Sequence, residues 1–389
     1  MKQGWEIKKL GEVATIVGGS TPKTNNLANW NGDNYWVTPA ELTGSKWISS
    51  TERTITDLGV KSAHLQILPV GTVLLSSRAP IGKVAITTVE MFCNQGFKNI
   101  VCSENILNEF VYWFLFYNTD YLNSLGTGAT FKEISKRVVE QIPVPVPPLA
   151  EQARIVGELD LLAGIIDKQK TQLKELDTLA QSIFYSSFGD PIQNEKGWKT
   201  NRLGNVCVVN PSKKETLVDV QPDDFVSFVP MEDLPIKAGY IKPKQQRLYR
   251  EVQSSYTSFA NNDVLMAKVT PCFENGKIGI ARNLINGIGF GSSEFIVIRP
   301  MQIIQEYVYF VIQTPTFIDG AIKRLTGTSG LKRVPRAYVE ECVISVPPLE
   351  LQNAFAEKIE NIERQKEAIT CAITETQKLF DYTMDKYFG

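Results

Sequence analysis

Residues 144–160 read VPVPPLAEQARIVGELD, and residues 344–360 read ISVPPLELQNAFAEKIE. Both stretches contain the motif Pro-Pro-Leu-x-x-Gln, and a long segment without proline follows the motif in each copy. Proline just before the first helical turn favours the start of a helix. The two copies lie 200 residues apart, which predicts a chain built from two versions of one unit, each closed by a long helix.

The repeat extends to the start of each unit. The sequence GWEIKKLGEV at residues 4–13 returns as GWKTNRLGNV at residues 197–206, an offset of 193. The offset becomes 200 from residues 127–134 onward. Residues 20–70 and 211–262 show no convincing match to each other. The two units therefore share a frame and differ in the middle.

The predicted secondary structure follows the same plan in both units. Short runs rich in Val, Ile, Thr and aromatic residues predict strands, and residues 73–87 predict two strands around a Pro-x-Gly turn. Aromatic runs predict helices at residues 108–125 and 302–325. The segments after the Pro-Pro-Leu motif predict closing helices at residues 149–186 and 349–387.

Apolar residues recur in alternating steps of four and three along both closing helices. This spacing is typical of the a and d positions of a coiled coil. An ordinary amphipathic core helix is the alternative interpretation, although it would carry a broader apolar face. The predicted seam consists of Ile155, Leu159, Leu162, Ile166, Leu173, Leu176, Ile183, Phe355, Ile359, Ile362, Ile369, Ile373 and Phe380.

Two seams in one chain can pair with each other in antiparallel orientation. The sequence therefore predicts an α+β fold in which two pseudo-symmetric globular domains are separated by an antiparallel coiled coil of two long helices. Such helices would be about 54 Å long at 1.5 Å per residue. The predicted boundaries are residues 1–147, 148–189, 190–347 and 348–389.

Charge divides along the same boundaries. Residues 1–147 carry 13 Lys+Arg and 12 Asp+Glu, and residues 190–347 carry 19 and 16, so both globular units are slightly basic. Residues 148–189 carry 4 and 6, and residues 348–389 carry 5 and 8, so both closing segments are acidic. This division fits globular units that contact phosphates and helices that do not.

The sequence contains no recognisable catalytic or nucleotide-binding motif. It has no G-x-x-x-x-G-K-[ST], no G-x-G-x-x-G and no H-E-x-x-H. Asn210-Pro211-Ser212 differs from the Asn-Pro-Pro-aromatic sequence with which amino-methyltransferases hold a flipped base. His64 is the single histidine, and we interpret it as a structural or surface residue. These observations favour a non-enzyme with no catalytic residue, no metal site and no cofactor of its own.

A cytoplasmic location is expected from the composition. No apolar run follows the first three residues, so a secretory signal is not expected. The longest apolar-aromatic run, residues 110–117, is too short to cross a membrane. The six cysteines form no C-x-x-C pair, which favours reduced thiols.

Taken together, these motifs resemble the specificity (S) subunit of Type I restriction-modification systems, and the resemblance covers the whole chain. One Pro-Pro-Leu motif would be a weak signal, whereas the duplicated set at fixed spacing is specific. The second copy has Leu351-Gln352 where the family usually has Glu-Gln. The motifs that carry the resemblance are Gly4-Trp5, Leu10-Gly11, Pro147-Pro148-Leu149, Glu151-Gln152, Gly197-Trp198, Leu203-Gly204, Pro347-Pro348-Leu349 and Gln352.

The resemblance implies that each globular unit is a target recognition domain that reads one half of a split double-stranded DNA sequence. It implies that the closing helices act as spacers and dock two methyltransferase subunits, which bind S-adenosylmethionine and methylate adenine. A restriction subunit that uses ATP and Mg²⁺ is expected to join them. Because the middles of the two units differ, we expect two different half-sites and an asymmetric target.

Side chains that can read base edges or bind phosphates stand near the turns of both units. A solvated surface residue is the alternative for each of them. Backbone N–H groups of the loops at residues 126–132 and 327–333 are further candidates for phosphate binding. The predicted DNA-contact residues are Lys23, Asn25, Asn26, Thr38, Glu41, Arg78, Lys83, Lys132, Lys213, Lys214, Glu232, Lys268, Thr270, Asn275, Lys277, Ser292, Ser293, Lys332 and Arg333.

Several alternatives stay open at the level of sequence. The stretch CFENGK at residues 272–277 fits either a DNA contact or a tight structural hairpin. Trp5 and Trp198 fit core anchors better than base-stacking residues. A specificity partner of a modification-only system, or of a fused nuclease-methylase system, would use the same two readers. A two-lobed protein-interaction scaffold would not bind DNA at all.

Overall fold

The computed structural model of the chain describes residues 4–128, 132–216, 220–237, 239–328 and 331–389. Helices and strands are mixed, and the chain divides into two compact units. Unit 1 comprises Met1–Gln169 and Ala372–Gly389, and unit 2 comprises Lys170–Cys371. The α+β class predicted from the sequence is confirmed. Each closing helix contributes residues to both units.

The elements of unit 1 come mostly from the first part of the chain. Its strands are β1 (Glu6–Lys9), β2 (Ala14–Gly18), β3 (Trp30–Val37), β4 (Trp47–Ile48), β5 (Thr54–Ile55), β6 (Val73–Leu75), β7 (Val84–Thr87), β8 (Phe92–Cys93), β9 (Lys98–Cys102) and β10 (Pro143–Val146). Its helices are α1 (Leu10–Val13), α2 (Asp57–Ser62), α3 (Asn108–Tyr117), α4 (Thr119–Ser124), α5 (Lys136–Glu140) and the first half of α6 (Leu149–Phe188).

These strands form three sheets. A five-stranded sheet has the order β2-β9-β6-β7-β4, a three-stranded sheet has the order β5-β3-β8, and β1 pairs with β10. Strands β6 and β7 pair antiparallel, as the sequence predicted, and β4 joins β7 in parallel.

Unit 2 has counterparts of the strands of unit 1 and one strand more. Its strands are β11 (Thr200–Arg202), β12 (Cys207–Val209), β13 (Phe225–Val229), β14 (Tyr240–Ile241), β15 (Gln245–Leu248), β16 (Thr257–Ala260), β17 (Val264–Ala267), β18 (Ile278–Ala281), β19 (Ile288–Gly291), β20 (Phe295–Pro300) and β21 (Val343–Ser345). Its helices are α7 (Leu203–Val206), α8 (Lys213–Thr216), α9 (Tyr249–Val252), α10 (Gln305–Val311), α11 (Pro315–Ile322), α12 (Arg336–Glu341) and the first half of α13 (Leu349–Phe388).

The sheets of unit 2 have the strand orders of those of unit 1, with one strand added. The five-stranded sheet has the order β12-β20-β17-β18-β14, and β11 pairs with β21. A four-stranded sheet has the order β15-β13-β19-β16, in which β16 has no counterpart among the described residues of unit 1. Strand β13 pairs in parallel with β19, as β3 does with β8. The unmatched middles of the two sequences therefore build the same framework.

The repeated glutamine of the opening motif is buried in both units and holds the motif to a neighbouring helix. Gln152 donates from Nε2 to the carbonyl of Pro147 at 2.8 Å and accepts the N–H of Leu107, just before α3, at 2.8 Å. Gln352 donates to the carbonyl of Pro347 at 2.7 Å and accepts the N–H of Ile304, just before α10, at 3.1 Å. In each unit the glutamine therefore links the start of the closing helix to the start of the aromatic helix. The backbone groups that it bonds would otherwise be unsatisfied.

The predicted aromatic helices are each broken into two. Helix α3 ends at Tyr117, and the Asn118 side chain donates to the carbonyl of Phe114 at 2.8 Å before α4 begins. In unit 2 the break falls at Thr314-Pro315, where Pro315 begins α11. Proline cannot donate the backbone hydrogen bond that a continuous helix requires. The prediction of one uninterrupted helix in each unit was wrong.

The two closing helices pack in antiparallel orientation within each unit. In unit 1 the end of α13 packs on the start of α6, where the Tyr387 hydroxyl donates to Glu158 at 2.7 Å. In unit 2 Phe355 contacts Phe184 with ring centroids 5.7 Å apart, and Lys366 pairs with Asp177 at 2.8 Å. Every residue of the predicted seam is buried or half-buried. Within the described ranges, no helix is long and apolar enough to cross a membrane.

Candidate DNA interface

A group of loops at one end of the strands of unit 1 contains many of the predicted DNA-contact residues. The backbone ties these loops together: Ser20 N–H bonds to Cys93 at 3.0 Å, and Asn94 N–H bonds to Val37 at 3.1 Å. The side chain of Lys83 reaches the carbonyl of Pro39 at 3.4 Å. We call this group the unit 1 loop cluster and define it as residues 19–21, 38–41, 76–83, 94–97, 127–128 and 132–134.

Unit 2 has an equivalent group at the ends of the equivalent strands. Lys277 Nζ donates to the carbonyl of Met231 at 2.7 Å, as Lys83 does to Pro39 in unit 1. Thr270 N–H bonds to the carbonyl of Lys332 at 2.9 Å. We call this group the unit 2 loop cluster and define it as residues 230–232, 268–277, 292–294, 326–328 and 331–333.

The predicted contact residues differ in exposure. None of them is fully buried. Thr38, Glu41, Lys83, Lys268, Thr270, Lys277, Ser292 and Arg333 are half-buried. Lys23, Asn25, Asn26, Arg78, Lys132, Lys213, Lys214, Glu232, Asn275, Ser293 and Lys332 are exposed. Parts of the two predicted phosphate-binding loops, residues 129–131 and 329–330, lie outside the described residues.

Some predicted contact residues stand outside the loop clusters. Lys23, Asn25 and Asn26 lie on the loop before β3, where the Asn26 side chain accepts the N–H of Ala28 at 3.2 Å. Lys213 and Lys214 lie on α8, and Lys213 Nζ donates to the carbonyl of Gln253. The described contacts do not join these two groups to the clusters, so any DNA contact by them would extend the interface.

An ion-pair network in unit 1 holds Arg78 in place. Glu133 pairs with Arg78 at 2.9 Å and with Lys98 at 3.1 Å. Partial burial alone would raise the pKa of Glu133, but the hydrogen bonds from Lys98 and Arg78 outweigh it and lower that pKa. Glu133 therefore stays ionised and orients Arg78. The remaining guanidinium N–H groups of Arg78, whose side chain is exposed, are available for an outside partner.

Unit 2 has an ion-pair network at the equivalent place, but its acidic and basic side chains stand at different positions from those of unit 1. Glu294 accepts two hydrogen bonds from Arg333, at 2.8 and 2.9 Å, and lies 3.9 Å from Lys268. The hydrogen bonds from Arg333 lower the pKa of Glu294 in spite of its partial burial. Arg333 occupies the position that Glu133 has in unit 1, because Glu133 forms β-bridges with Thr127 and Arg78 and Arg333 forms them with Thr326 and Val269. The two networks would present different donors to a bound molecule.

Glu41 is engaged inside unit 1. Its Oε2 accepts the N–H of Thr38 at 2.6 Å and its Oε1 accepts the N–H of Glu52 at 2.8 Å. Both carboxylate oxygens thus cap backbone groups, which favours a structural role for Glu41. Its assignment as a base-reading residue stays a prediction.

Two arginines that the sequence reasoning missed are stacked on aromatic side chains. The guanidinium of Arg53 lies 3.7 Å from the ring centroid of Trp30, and that of Arg247 lies 4.1 Å from Phe228. Both arginines are exposed. Stacking fixes the plane of a guanidinium while leaving its N–H edge open. Both residues lie in the unmatched middles, where no repeat signal was available to find them.

A surface concavity of about 360 Å³ joins Arg247 to three predicted residues of unit 2. Glu232, Ser292 and Ser293 line it together with Arg247 and Tyr256. Donors, acceptors and an aromatic face therefore converge on one recess. This combination is suited to contacts with phosphates and base edges.

The remaining polar candidates fit structural roles. His64 is exposed at the end of α2, and Trp5 packs against the core of unit 1. Burial raises the pKa of Cys93, Cys102 and Cys207 to about 12. No group of three or more His, Cys, Asp or Glu among the described residues could hold a metal ion.

The model of the Type I restriction modification DNA specificity domain matches the chain twice, at residues 2–178 and 195–376. The chain is 35% identical over 224 residues to the MjaIX specificity subunit of Methanocaldococcus jannaschii, covering 53% of this chain and 52% of that protein. It is 36% identical over 206 residues to the EcoAI specificity subunit of Escherichia coli, covering 52% and 32%. The matched part thus spans about half the length of the MjaIX subunit and about a third of the EcoAI subunit.

Two solved structures share the fold over the whole chain. One comes from a study of complex assembly and conformational transition of the type I R-M system; it has a TM-score of 0.58 and 19% identity, and the match covers 100% and 98% of the two chains. The other is the Type-I restriction-modification S subunit from M. genitalium, with a TM-score of 0.57, 11% identity and coverage of 99% and 96%. At these identities the likeness concerns the fold alone.

Proposed function

The chain belongs to the Type I restriction modification DNA specificity domain family, and from this membership we propose that it is the DNA sequence-specificity subunit of a restriction-modification system. Each of its two matched parts reads one half of a bipartite DNA target. The observation that carries the proposal is the double family match, one match for each loop cluster. The chain itself recognises DNA and performs no catalysis.

The two half-sites are proposed to differ. The loop clusters have the same backbone pairing, but equivalent positions carry different side chains. The carbonyl of Ser77 accepts the N–H of Ile134 in unit 1, and the carbonyl of Lys268 accepts the N–H of Val334 in unit 2. A serine in one unit therefore stands where the other has a lysine. Different donors at equivalent positions support an asymmetric target.

We propose residues 1–147 and 190–347 as the target recognition domains, and residues 148–189 and 348–389 as the spacer helices. Two readers on one face of B-DNA would stand about one helical turn apart, roughly 34–36 Å. With half-sites of a few base pairs, a gap of about 5–8 pairs without contacts follows. A contiguous footprint on a bound DNA fragment would contradict this arrangement.

The proposed partners are two adenine methyltransferase subunits and a restriction subunit. S-adenosylmethionine, ATP and Mg²⁺ belong to those partners. Large apolar side chains exposed on the closing helices of unit 1 support docking of a protein there. They are Leu161, Ile165, Leu379 and Tyr382.

A specificity partner of a modification-only or fused nuclease-methylase system is the alternative. It would use the same readers and differ only in the catalytic subunit that purifies with this chain. A two-lobed scaffold without a DNA role is a further alternative. It predicts no salt-dependent DNA binding by the assembled complex, whereas phosphate contacts predict a steep loss of affinity with salt.

The experiment that tests the proposal is methylome sequencing of a host that expresses this chain with its methyltransferase subunit. We expect a bipartite motif methylated on adenine. Replacement of residues 4–146 by the corresponding part of a relative should change one half of the motif and leave the other half unchanged. A motif that survives the replacement, or no motif at all, would favour the scaffold.

A further inference from the structure

The surface recess of about 360 Å³ in unit 2 contains one basic and one acidic side chain, Arg247 and Glu232. Both side chains are exposed. Within the described ranges, neither has an ion pair or a side-chain hydrogen bond, and they do not pair with each other. Both are therefore available to a bound molecule. We call this site the unit 2 recess and define it by its aromatic and polar lining, Phe228, Glu232, Arg247, Tyr256, Ser292 and Ser293.

The guanidinium of Arg247 differs from the basic groups beside it in the sequence. Lys244 pairs with Asp233 at 3.7 Å, and Arg250 pairs with Asp223. In the part of the chain that the structure describes, Arg247 has a ring contact and no acidic partner. Its positive charge is therefore not used to hold the chain together.

The ring of Phe228 holds the guanidinium in a fixed plane. Arg247 lies 4.1 Å from the centroid of this ring, and Tyr256 packs edge-on against the same ring with centroids 4.9 Å apart. Arg247 stands opposite Val226 in the ladder between β15 and β13, so it reaches Phe228 diagonally. Stacking of this kind leaves the in-plane N–H groups able to form two parallel hydrogen bonds.

The carboxylate of Glu232 stands on a short turn that is tied to the strand of Arg247. This turn comprises Met231–Asp233, and Asp233 accepts a hydrogen bond from the side chain of Gln245 at 3.2 Å. Gln245 and Arg247 lie two residues apart on β15, so they share one face of the strand. The tie therefore fixes the backbone of Glu232 relative to the strand that carries the guanidinium.

A phosphate group does not complement the two charges of the recess together. Arg247 alone would attract a phosphate, but Glu232 in the same recess would repel it. The ligand should instead offer acceptors to the guanidinium and a donor to the carboxylate. In the major groove of DNA, guanine presents the acceptors N7 and O6, and cytosine presents the N4 donor. A G·C base pair therefore supplies both on one edge.

We propose that the unit 2 recess reads one G·C base pair in the major groove of the half-site bound by unit 2. Arg247 donates to N7 and O6 of the guanine, and Glu232 accepts from N4 of the cytosine. The inference rests on the proposed function and names the base pair and the residues that select it. An A·T pair would offer Arg247 one acceptor instead of two, and it would place the acceptor O4 of thymine against the carboxylate.

Unit 1 has the aromatic residue of this site and lacks the carboxylate. Trp36 is the counterpart of Phe228 in the equivalent parallel ladder. The short turns that follow these two strands also correspond, and Ala40 stands where unit 2 has Glu232. The shared framework therefore does not require a carboxylate at this position, as expected of a residue that selects a base.

Methylome sequencing of variants expressed with the methyltransferase subunit tests the assignment. The half of the motif that survives replacement of residues 4–146 belongs to unit 2, and it should contain the G·C pair. Arg247→Ala should permit methylation of sites with any base pair at that position. Glu232→Gln should admit A·T beside G·C, because a glutamine amide can donate to O4 of thymine. The half read by unit 1 should stay unchanged in both variants.

Two matched variants control for the change of charge. Arg250→Ala removes an exposed arginine and Glu251→Gln an exposed carboxylate, both on α9 and outside the recess. Both controls should methylate the wild-type motif. A unit 2 half-site without a G·C pair, or one that Arg247→Ala leaves unaltered, overturns the inference alone. Absence of any bipartite motif would contradict the proposed function, and the inference with it.

DNA binding by the assembled complex tests the contact at the level of one atom, even for a variant that no longer methylates. The probe is a target duplex in which 7-deazaguanine replaces the guanine, since this base pairs normally and lacks the N7 acceptor. The wild-type complex should bind it at least about tenfold more weakly than the unmodified duplex, because it loses a hydrogen bond from a charged donor. The Arg247→Ala complex should bind both duplexes alike.

Fluorescence anisotropy at several salt concentrations measures these affinities. Equal binding of the two duplexes by the wild-type complex overturns the inference, as does the same tenfold loss in the Arg247→Ala complex. A uniform loss of affinity for all sequences in that variant, with a smaller salt slope, would assign Arg247 to a phosphate and would also overturn it.

Discussion

At the scale of single residues, Gln152 and Gln352 show how one side chain can organise each unit. Each amide is fully buried and bonds both a proline carbonyl and the N–H that begins an aromatic helix. A buried N–H without a partner costs more than an ordinary hydrogen bond contributes. This role explains why the repeated motif contains a glutamine at this position.

Gln152→Leu should lower the free energy of unfolding by about 1–3 kcal/mol, because leucine fills the space and leaves the N–H of Leu107 unsatisfied. Urea unfolding followed by circular dichroism measures this loss. Gln172→Leu is the control on the same helix, since Gln172 is exposed. Equal stability of the two variants would mean that the buried amide bonds contribute nothing.

Arg53 is the residue outside the initial prediction with the clearest expected effect on DNA binding. Its guanidinium is held on Trp30 with the N–H edge exposed. Arg53→Ala should weaken binding of the assembled complex to its target about tenfold or more, and loss of one phosphate contact should reduce the salt slope by about one. Fluorescence anisotropy with target DNA at several salt concentrations provides the measurement.

Lys61→Ala is the control for Arg53, since Lys61 is exposed on α2 of the same unit. Removal of a solvated charge should change affinity far less than removal of a positioned one. If both variants bind alike, the stacked arginine has only a structural role.

At the scale of elements, the pairing of α6 with α13 contains a charged cluster in unit 2. Lys366 lies 2.8 Å from both Asp177 and Glu363, and Lys366 and Glu363 are largely buried. Burial raises the pKa of Glu363 in spite of the hydrogen bond from Lys366. The cluster interrupts an otherwise apolar seam, which is a common way to fix the register of paired helices.

Lys366→Met should destabilise unit 2 by on the order of 3 kcal/mol, because it leaves the buried carboxylate of Glu363 without its cation. Adding Glu363→Leu should restore most of that loss. Chemical unfolding of both single variants and the double variant gives the coupling between the two residues. Additive losses would show that the pair contributes no such coupling.

At the scale of the whole molecule, both ends of the described chain belong to unit 1, where Trp5 and Gly389 line the same groove. A short linker can therefore join Gly389 to Gly4. A circular permutant opened after Gly189 and closed in this way should fold, and its complex should methylate the same bipartite motif.

Thermal unfolding and methylome sequencing of the permutant are the measurements. The linker is Gly-Ser-rich, and the control permutant is opened within α3, whose residues 110–115 are buried. The control should fail to fold because the opening breaks the core of unit 1. Failure of the first permutant would contradict the closeness of the two chain ends in unit 1.

The sequence determined the duplication, the α+β class and the starts of the closing helices. The class and the helix starts depend on local signals: proline favours the start of a helix through its fixed φ angle, and apolar side chains spaced by four and three give a helix one apolar stripe. The family match supports the same interpretation. The exact limits of α6 and α13 differ from the prediction only by the last few residues.

Only the tertiary structure decided that the unmatched middles build equivalent sheets, to which unit 2 adds β16. Strands β3 and β13 share no recognisable sequence, yet they take equivalent places. A β ladder joins backbone groups, so many different side chains can form the same strand pairing. The sequence alone likewise could not predict the stacking of Arg53 on Trp30 or the ion pairs of Glu133 with Arg78 and Lys98. These contacts join residues far apart in sequence, so their geometry depends on how the strands pack and not on any local pattern.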